Sequence, residues 1–177
     1  MRIIGHFKTI TYHKWLVMKY CFQVGLYRQG LLHDLSKYSP SEFLTGVHYY
    51  QGTRSPNAAE RDEKGYSEAW MHHKGRNKHH YEYWNDVGRD RTTVAVKMPL
   101  NYVVEMFMDR IAASRVYKKE KYTDSSALEY YNFTHEYALI HRDTDRLLRH
   151  LLRMLAARGQ DYTFRYIKKV LLPKGRY

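Results

Sequence analysis

Between Phe7 and Tyr27 the apolar side chains return every three or four residues, a period that a strand cannot use and an α-helix must bury. Phe7, Ile10, His13, Leu16, Val17, Tyr20, Cys21, Val24 and Tyr27 form one stripe of such a helix, with Gly30 as its expected stop. One member of the stripe, His13, is not apolar. A short helical piece follows over Leu31–Lys37. Ser39-Pro40-Ser41-Glu42 then reads as a capping box, with Pro40 at the first helical position and Glu42 reaching back to the cap, and the helix runs to about Tyr50.

The same reading carries to the C-terminal end. Residues 51–57 (QGTRSPN) make a loop, Ala58–Lys74 is helical in composition despite Gly65, and Asn77 caps a short segment through Trp84. Arg91–Val96 has strand propensity, but without an evident partner it is expected to be a loop or the approach to a helix. Pro99 opens the most apolar helix, through about Tyr117, with Asp109 on the face of Tyr102, Met106 and Ala113. Ser126 and Glu129 repeat the capping-box spacing. Thr134–Arg158 is a long amphipathic helix stopped by Gly159, and Asp161–Leu172 a last basic one. The expectation is an all-α chain, residues 1–177 forming a single helical domain of six to eight segments, with under about a tenth of its residues in strands.

Charge and cysteine usage narrow the class. Cys21 is the only cysteine, which rules out an intrachain disulfide and a cysteine-rich zinc site. Its place in the apolar stripe makes it a packing residue, and such usage suits a reducing, cytoplasmic setting. No run of apolar residues is long enough to span a bilayer, so stable membrane insertion is not expected. The net charge of +12 attracts anions of any kind. Lysines and arginines are scattered over every element and no motif of a known reader fold appears, so nucleic acid is weighed as a partner but not favoured.

The residues with chemistry to offer are His13, the doublet His33-Asp34, the pairs His72-His73 and His79-His80, and Asp109. Imidazole binds zinc, iron, nickel or manganese, and a carboxylate can bridge two such ions while neutralising their charge. Each residue alone has a plainer reading. A histidine on an apolar face is more often a satisfied core residue, Asp109 could pair with Arg110 or Arg115, and the four clustered histidines could be solvated beside Lys74, Arg76 and Lys78. Their joint occurrence is what points to one or two divalent ions, of Mn, Ni, Zn, Mg or Fe.

In this order the residues resemble the ligand series of the HD-domain superfamily of metal-dependent phosphohydrolases, and His33-Asp34-Leu35-Ser36-Lys37 resembles its doublet with a following lysine. The chain is also similar, over most of its length, to an uncharacterised bacterial and phage family marked by HDLSKYSPSEF (residues 33–43) and HHKGRNKHHYEYW (residues 72–84). The superfamily resemblance implies a compact HD-domain-like helical bundle around the metals. It implies His13 as the first-helix ligand, His33 and Asp34 as the doublet and Asp109 as the closing aspartate. His79 and His80 match the paired histidines, and His73 or His72 the one before them, with His48 a weaker alternative. The glycine-tyrosine-proline signature of the cyclic-dinucleotide branch is absent.

The activity implied is hydrolysis of a nucleotide or other small phosphate ester. Asp34 would bridge the ions, Lys37 would hold a phosphate oxygen or balance Asp34, and Arg76 and Lys78 would bind further phosphate. For Lys37 the competing reading is an exposed lysine that ends its helix. Two other functions share the same residues: a non-catalytic, metal-stabilised binding protein, and a di-iron oxygenase of HD-like fold.

Overall fold

The first apolar stripe is helical over Arg2–Val24 (α1) and buries His6, Ile10, His13, Leu16, Val17, Tyr20, Cys21 and Val24. The helix closes at Gly25, before the expected Gly30, where the N–H groups of Gly25 and Leu26 return to the carbonyls of Phe22 and Cys21. Gly30 has a different task. It lies buried inside α2 (Tyr27–Leu32), where a β-carbon would come within 3.1 Å of Met18 Cα and Cys21 Cβ, so the missing side chain lets α2 lie against α1. The computed structural model describes all 177 residues.

A 3-10 turn, Leu35–Tyr38, leads to α3 (Pro40–His48). Pro40 takes the first helical position as expected, but Ser39 makes no cap bond to the helix. Its hydroxyl meets that of Ser41 at 3.1 Å, and Glu42 points elsewhere. The expected helix 58–74 is two helices, α4 (Pro56–Lys64) and α5 (Glu68–Lys74), broken at Gly65 because Ser67 starts the second one by accepting the Trp70 N–H at 3.0 Å. Asn77 does not cap a helix; Tyr81–Trp84 is one 3-10 turn.

The stretch expected to be a loop or the approach to a helix, Arg91–Val96, contains a strand. β2 (Thr93–Ala95) pairs antiparallel with β1 (Asn85–Val87), Asp86 opposite Val94. The partner came from a segment whose Asn-Asp start carries no strand signature. The hairpin involves six residues and leaves the all-α class intact.

The remaining helices form the apolar centre. These are α6 (Leu100–Lys118), α7 (Ser126–Thr134) and α8 (Arg142–Tyr166), then a π-helical turn over Ile167–Leu171 and α9 (Leu172–Lys174). Ser126 does not cap α7 but lies inside it, accepting the Thr123 N–H, and Glu129 pairs with Lys118 at 2.8 Å. The long helix expected from Thr134 begins only at Arg142, capped by His141. Gly159 interrupts it as expected: at φ 78° and ψ 172°, a conformation open essentially to glycine alone, the helix kinks, and a second helical stretch follows. Val103, Phe107 and Ile111 of α6 pack on Val17 and Cys21 of α1 and on Leu148, Leu151, Leu152 and Leu155 of α8, all fully buried. No helix is long and apolar enough to cross a membrane.

Candidate metal centre

The doublet sits where α2 ends. His33 closes that helix, and Asp34 follows with φ 53° and ψ 24°, a left-handed conformation rare for a residue with a β-carbon. The chain is held there from outside. Lys14 of α1 donates from Nζ to the carbonyls of Leu31 at 2.7 Å and His33 at 2.8 Å, pinning the last turn of α2 against α1.

Two sets of donor atoms converge on Asp34. One comprises Asp34, His13, His33 and Asp109, the other Asp34, His73, His79 and His80; within each, the donor atoms lie within 4.8 Å of one another. The carboxylate divides between them. Its Oδ2 faces His13 Nε2 at 3.5 Å and His33 Nε2 at 3.3 Å, while its Oδ1 faces His73 Nε2 at 3.3 Å and His79 Nε2 at 3.4 Å. Asp109 Oδ1 completes the first set, 2.9 Å from His13 Nε2 and 3.7 Å from His33 Nε2. His80 Nε2 completes the second, 2.9 Å from His73 Nε2.

These spacings are those of atoms that share an ion. Bonds near 2.0–2.1 Å place neighbouring donors about 3.4 Å apart in a tetrahedral site and about 3.0 Å apart in an octahedral one. The donors also need a partner. Oδ1 of Asp34 and Nε2 of His79 are buried with no hydrogen bond, an arrangement that costs about 1–3 kcal/mol per group unless something else satisfies it. The residues present therefore suit a divalent ion in each set, with Asp34 common to both.

Two further carboxylates hold the imidazoles. Glu105 Oε1 accepts from His33 Nδ1 at 2.9 Å and lies 3.1 Å from His79 Nδ1, so one oxygen serves one histidine of each set. Glu42 accepts from His73 Nδ1 at 2.7 Å through one oxygen and from His72 Nδ1 at 2.6 Å through the other. A proton held on Nδ1 leaves the Nε2 lone pair facing inward, the tautomer that binds metal. Asn77 braces the arrangement, donating to Ser36 Oγ and to the His73 carbonyl, each at 2.8 Å.

The electrostatics follow from burying so many charges together. Burial alone would raise the Asp34 and Asp109 carboxyls, but His33, Lys37 and His73 around the first and His13 and His33 around the second hold both well below the usual carboxylate range. For His33 the desolvation is outweighed by Asp34, Asp109 and Glu105, and its proton is held well above the ordinary imidazole range. His80 is driven the other way by burial and then by His79 and His73, which keeps it neutral and ready to ligate.

All seven residues that the sequence singled out as metal ligands thus meet in one region. Asp109 does not pair with Arg110 or Arg115 but with His13. Between the alternatives left open, His73 reaches Asp34, whereas His72 turns to Glu42 at the rim; His48, the last residue of α3, belongs to neither set. Lys37 is no free helix end, since its Nζ lies 2.6 Å from Asp34 Oδ2 with 28% of its side chain exposed. Arg76 and Lys78 are exposed; Arg76 donates to the His72 carbonyl and Lys78 lies over the Tyr83 ring. Two residues escaped the sequence reading, Glu42 and Glu105. Glu42 was absorbed by the capping-box pattern, while Glu105 had a signal, standing one helical turn before Asp109 on the same face.

The chain belongs to a protein family described as a family of unknown function (DUF5662), whose model matches residues 2–154. The matched span contains every residue of both donor sets. No curated protein and no solved structure matches the chain.

Proposed function

We propose that the chain is a divalent-metal-dependent phosphohydrolase of HD-domain type acting on a nucleotide or another small phosphate ester. The observation that carries this reading is the division of Asp34, with one oxygen facing each donor set. A structural site needs one closed set; two sets sharing a carboxylate suit a binuclear centre. His13, His33, Asp34 and Asp109 would hold one ion, and Asp34, His73, His79 and His80 the other. Two such ions supply Lewis acidity toward a water and toward a phosphoryl oxygen.

The chain's own residues supply the rest. Glu42 and Glu105 fix the imidazoles, so the donors are set before a substrate arrives and need not reorganise. The site opens on the side of Asp109 and Lys37, whose side chains are 16% and 28% exposed while the other charged groups around Asp34 are almost sealed. Lys37 stands at this opening as the cation nearest Asp34, placed to meet a phosphate oxygen there. The chain's charge of +12 favours the approach of an anionic substrate.

The test is elemental analysis of the purified protein, followed by a panel of nucleotides and simple phosphate esters with manganese, nickel, zinc, iron or magnesium. The expected result is about two ions per chain and metal-dependent release of phosphate. Two ions held with no turnover on any ester would leave a structural, non-catalytic centre. Oxygen consumption by an iron-loaded form, without phosphate release, would instead establish the oxygenase reading.

A further inference from the structure

Four arginines of α8, Arg142, Arg146, Arg149 and Arg153, succeed one another at i, i+4, i+7 and i+11. At 3.6 residues per turn they fall within an arc of roughly 60° along about 16 Å of helix. Charges that look scattered in the sequence are thus one stripe. With Asp145 and His150 these arginines line a shallow concavity of about 340 Å³ whose wall contains no apolar residue. Arg142 and Arg146 are 84% and 71% exposed.

The carboxylates nearby do not cancel this charge. Asp145 accepts from the Tyr131 hydroxyl at 2.5 Å and pairs with Arg149 at 3.3 Å. Asp143 is shared by Lys97 at 3.4 Å, Arg146 at 3.7 Å and Arg142 at 3.9 Å. Two carboxylates are set against five cations. The stripe faces solvent with a net positive charge.

Beside it stands a group of uncovered aromatic rings. Tyr130, Phe133 and Tyr137, from the end of α7 and the turn after it, are 60%, 82% and 86% exposed. The segment that carries them meets the arginine helix: Arg149 Nη1 donates to Asn132 at 3.3 Å, and His135 lies 3.6 Å from Asp145. Scattered exposed rings need no explanation, but three within eight residues, on the segment that meets the arginine row, bury little for the fold.

We propose that this face binds single-stranded nucleic acid, its phosphates on the α8 arginines and its bases stacked on Phe133 and Tyr137. A single strand is the one polyanion that presents phosphates and free aromatic faces together. A duplex hides its base faces, and the arginine concavity has no apolar wall for a lipid chain to enter. The surface is independent of the metal centre and of its proposed activity, so either can fail without the other.

The experiment is fluorescence anisotropy of the full chain with labelled oligonucleotides of about 12 nucleotides, within the usual range of one binding module. RNA and DNA arms are run in parallel to distinguish the two sources of the strand. Four neutralised phosphates give a slope of log affinity against log salt near −3. The double variant Arg146→Ala/Arg153→Ala should bring that slope to about −1.4. Phe133→Ala/Tyr137→Ala should weaken binding about tenfold or more while leaving the slope unchanged. Lys8→Ala/Arg28→Ala, equal in charge change and exposed elsewhere, should alter neither.

The proposal is overturned if that control lowers the slope as far as the α8 variant, because the binding then belongs to the overall charge. It is equally overturned if the aromatic variant binds like the parent, or if duplex binds as tightly as single strand. Vesicles containing phosphatidylserine form the last arm; capture by vesicles with the same arginine and aromatic dependence, and none of the oligonucleotides, would assign the face to a membrane surface.

Discussion

Helix α6 has two sides that live by different rules. On one, Val103, Phe107 and Ile111 are fully buried among leucines of α8 and the apolar stripe of α1; on the other, Glu105 and Asp109 meet His33, His79 and His13. The apolar side is held by many weak, non-directional contacts, each replaceable to a degree by its neighbours. The charged side is held by a few directed ones, and removing any partner leaves another charge stranded in a place without water. Stability on the first side is a property of volume, and on the second of occupancy and pH.

The largest effect that could break this contrast is expected at the residue both donor sets share. On the proposed reading, Asp34→Ala should release metal and abolish any hydrolysis. A metal bound by the parent at a hundred times its Kd would add about 2.7 kcal/mol to stability, so the melting temperature should rise with metal in the parent and hardly move in the variant. If the variant keeps its full metal content and both proteins shift equally, Asp34 is not a ligand.

Next comes the apolar side. Leu151→Ala should cost about 2–5 kcal/mol in urea unfolding, while folded protein binds as many ions as the parent. Metal loss in step with unfolding would show that the two sides are not separable. A smaller effect is expected at Glu105→Gln, which keeps the volume but removes the charge that orients one histidine of each set. Metal affinity should fall about 10- to 100-fold, read by competition with a chelator, and the metal-free protein should unfold at lower urea because His33 and His79 lose their buried carboxylate partner.

His6 offers a pH test on the same α1 stripe as His13. It is buried beside the rings of Phe43 and Tyr50, and burial, with Lys37 adding to it, lowers its pKa to about 4. A group depressed in the folded state is neutral there while the unfolded chain takes up protons, so its contribution is complete above the unfolded value near 6.5 and is lost as pH falls toward 4. His6→Gln should flatten that part of the stability profile of the metal-free protein; an unchanged slope would remove His6 as its cause. The smallest effect belongs to Lys78→Ala. Its exposed ammonium should change stability by no more than about 0.5 kcal/mol, and should touch the kinetics, if at all, through KM.

The same contrast explains what could be read in advance. The apolar side repeats its message every three or four residues, so α1, α6 and the leucine face of α8 were legible from periodicity. Ends are less legible: Gly159 breaks α8 as its place in the sequence implies, but Gly30, which reads as a stop, is a contact between α1 and α2. At the site, the ligand types stood in the sequence, but partnership did not. Glu42 fits a capping box as well as it fits a histidine pair, and only the packing of α3 against α5 decides between them. The strand Thr93–Ala95 is illegible for a related reason, because a hairpin needs two segments and its partner Asn85–Val87 carries no strand signature.

The left-handed backbone at Asp34 bears on which mutations the position can tolerate. Successive side chains diverge by about 100° around a helix and by a half turn along a strand, so a histidine and an aspartate adjacent in the chain would ordinarily look in different directions. The φ of 53° is what brings His33 and Asp34 to the same donors. Position 34 is therefore constrained twice, once by charge and once by handedness. Asparagine meets the second demand without the first, glycine relieves the backbone while offering no ligand, and valine fails both; the order in which these three variants lose metal and stability separates the chemistry of the residue from its geometry.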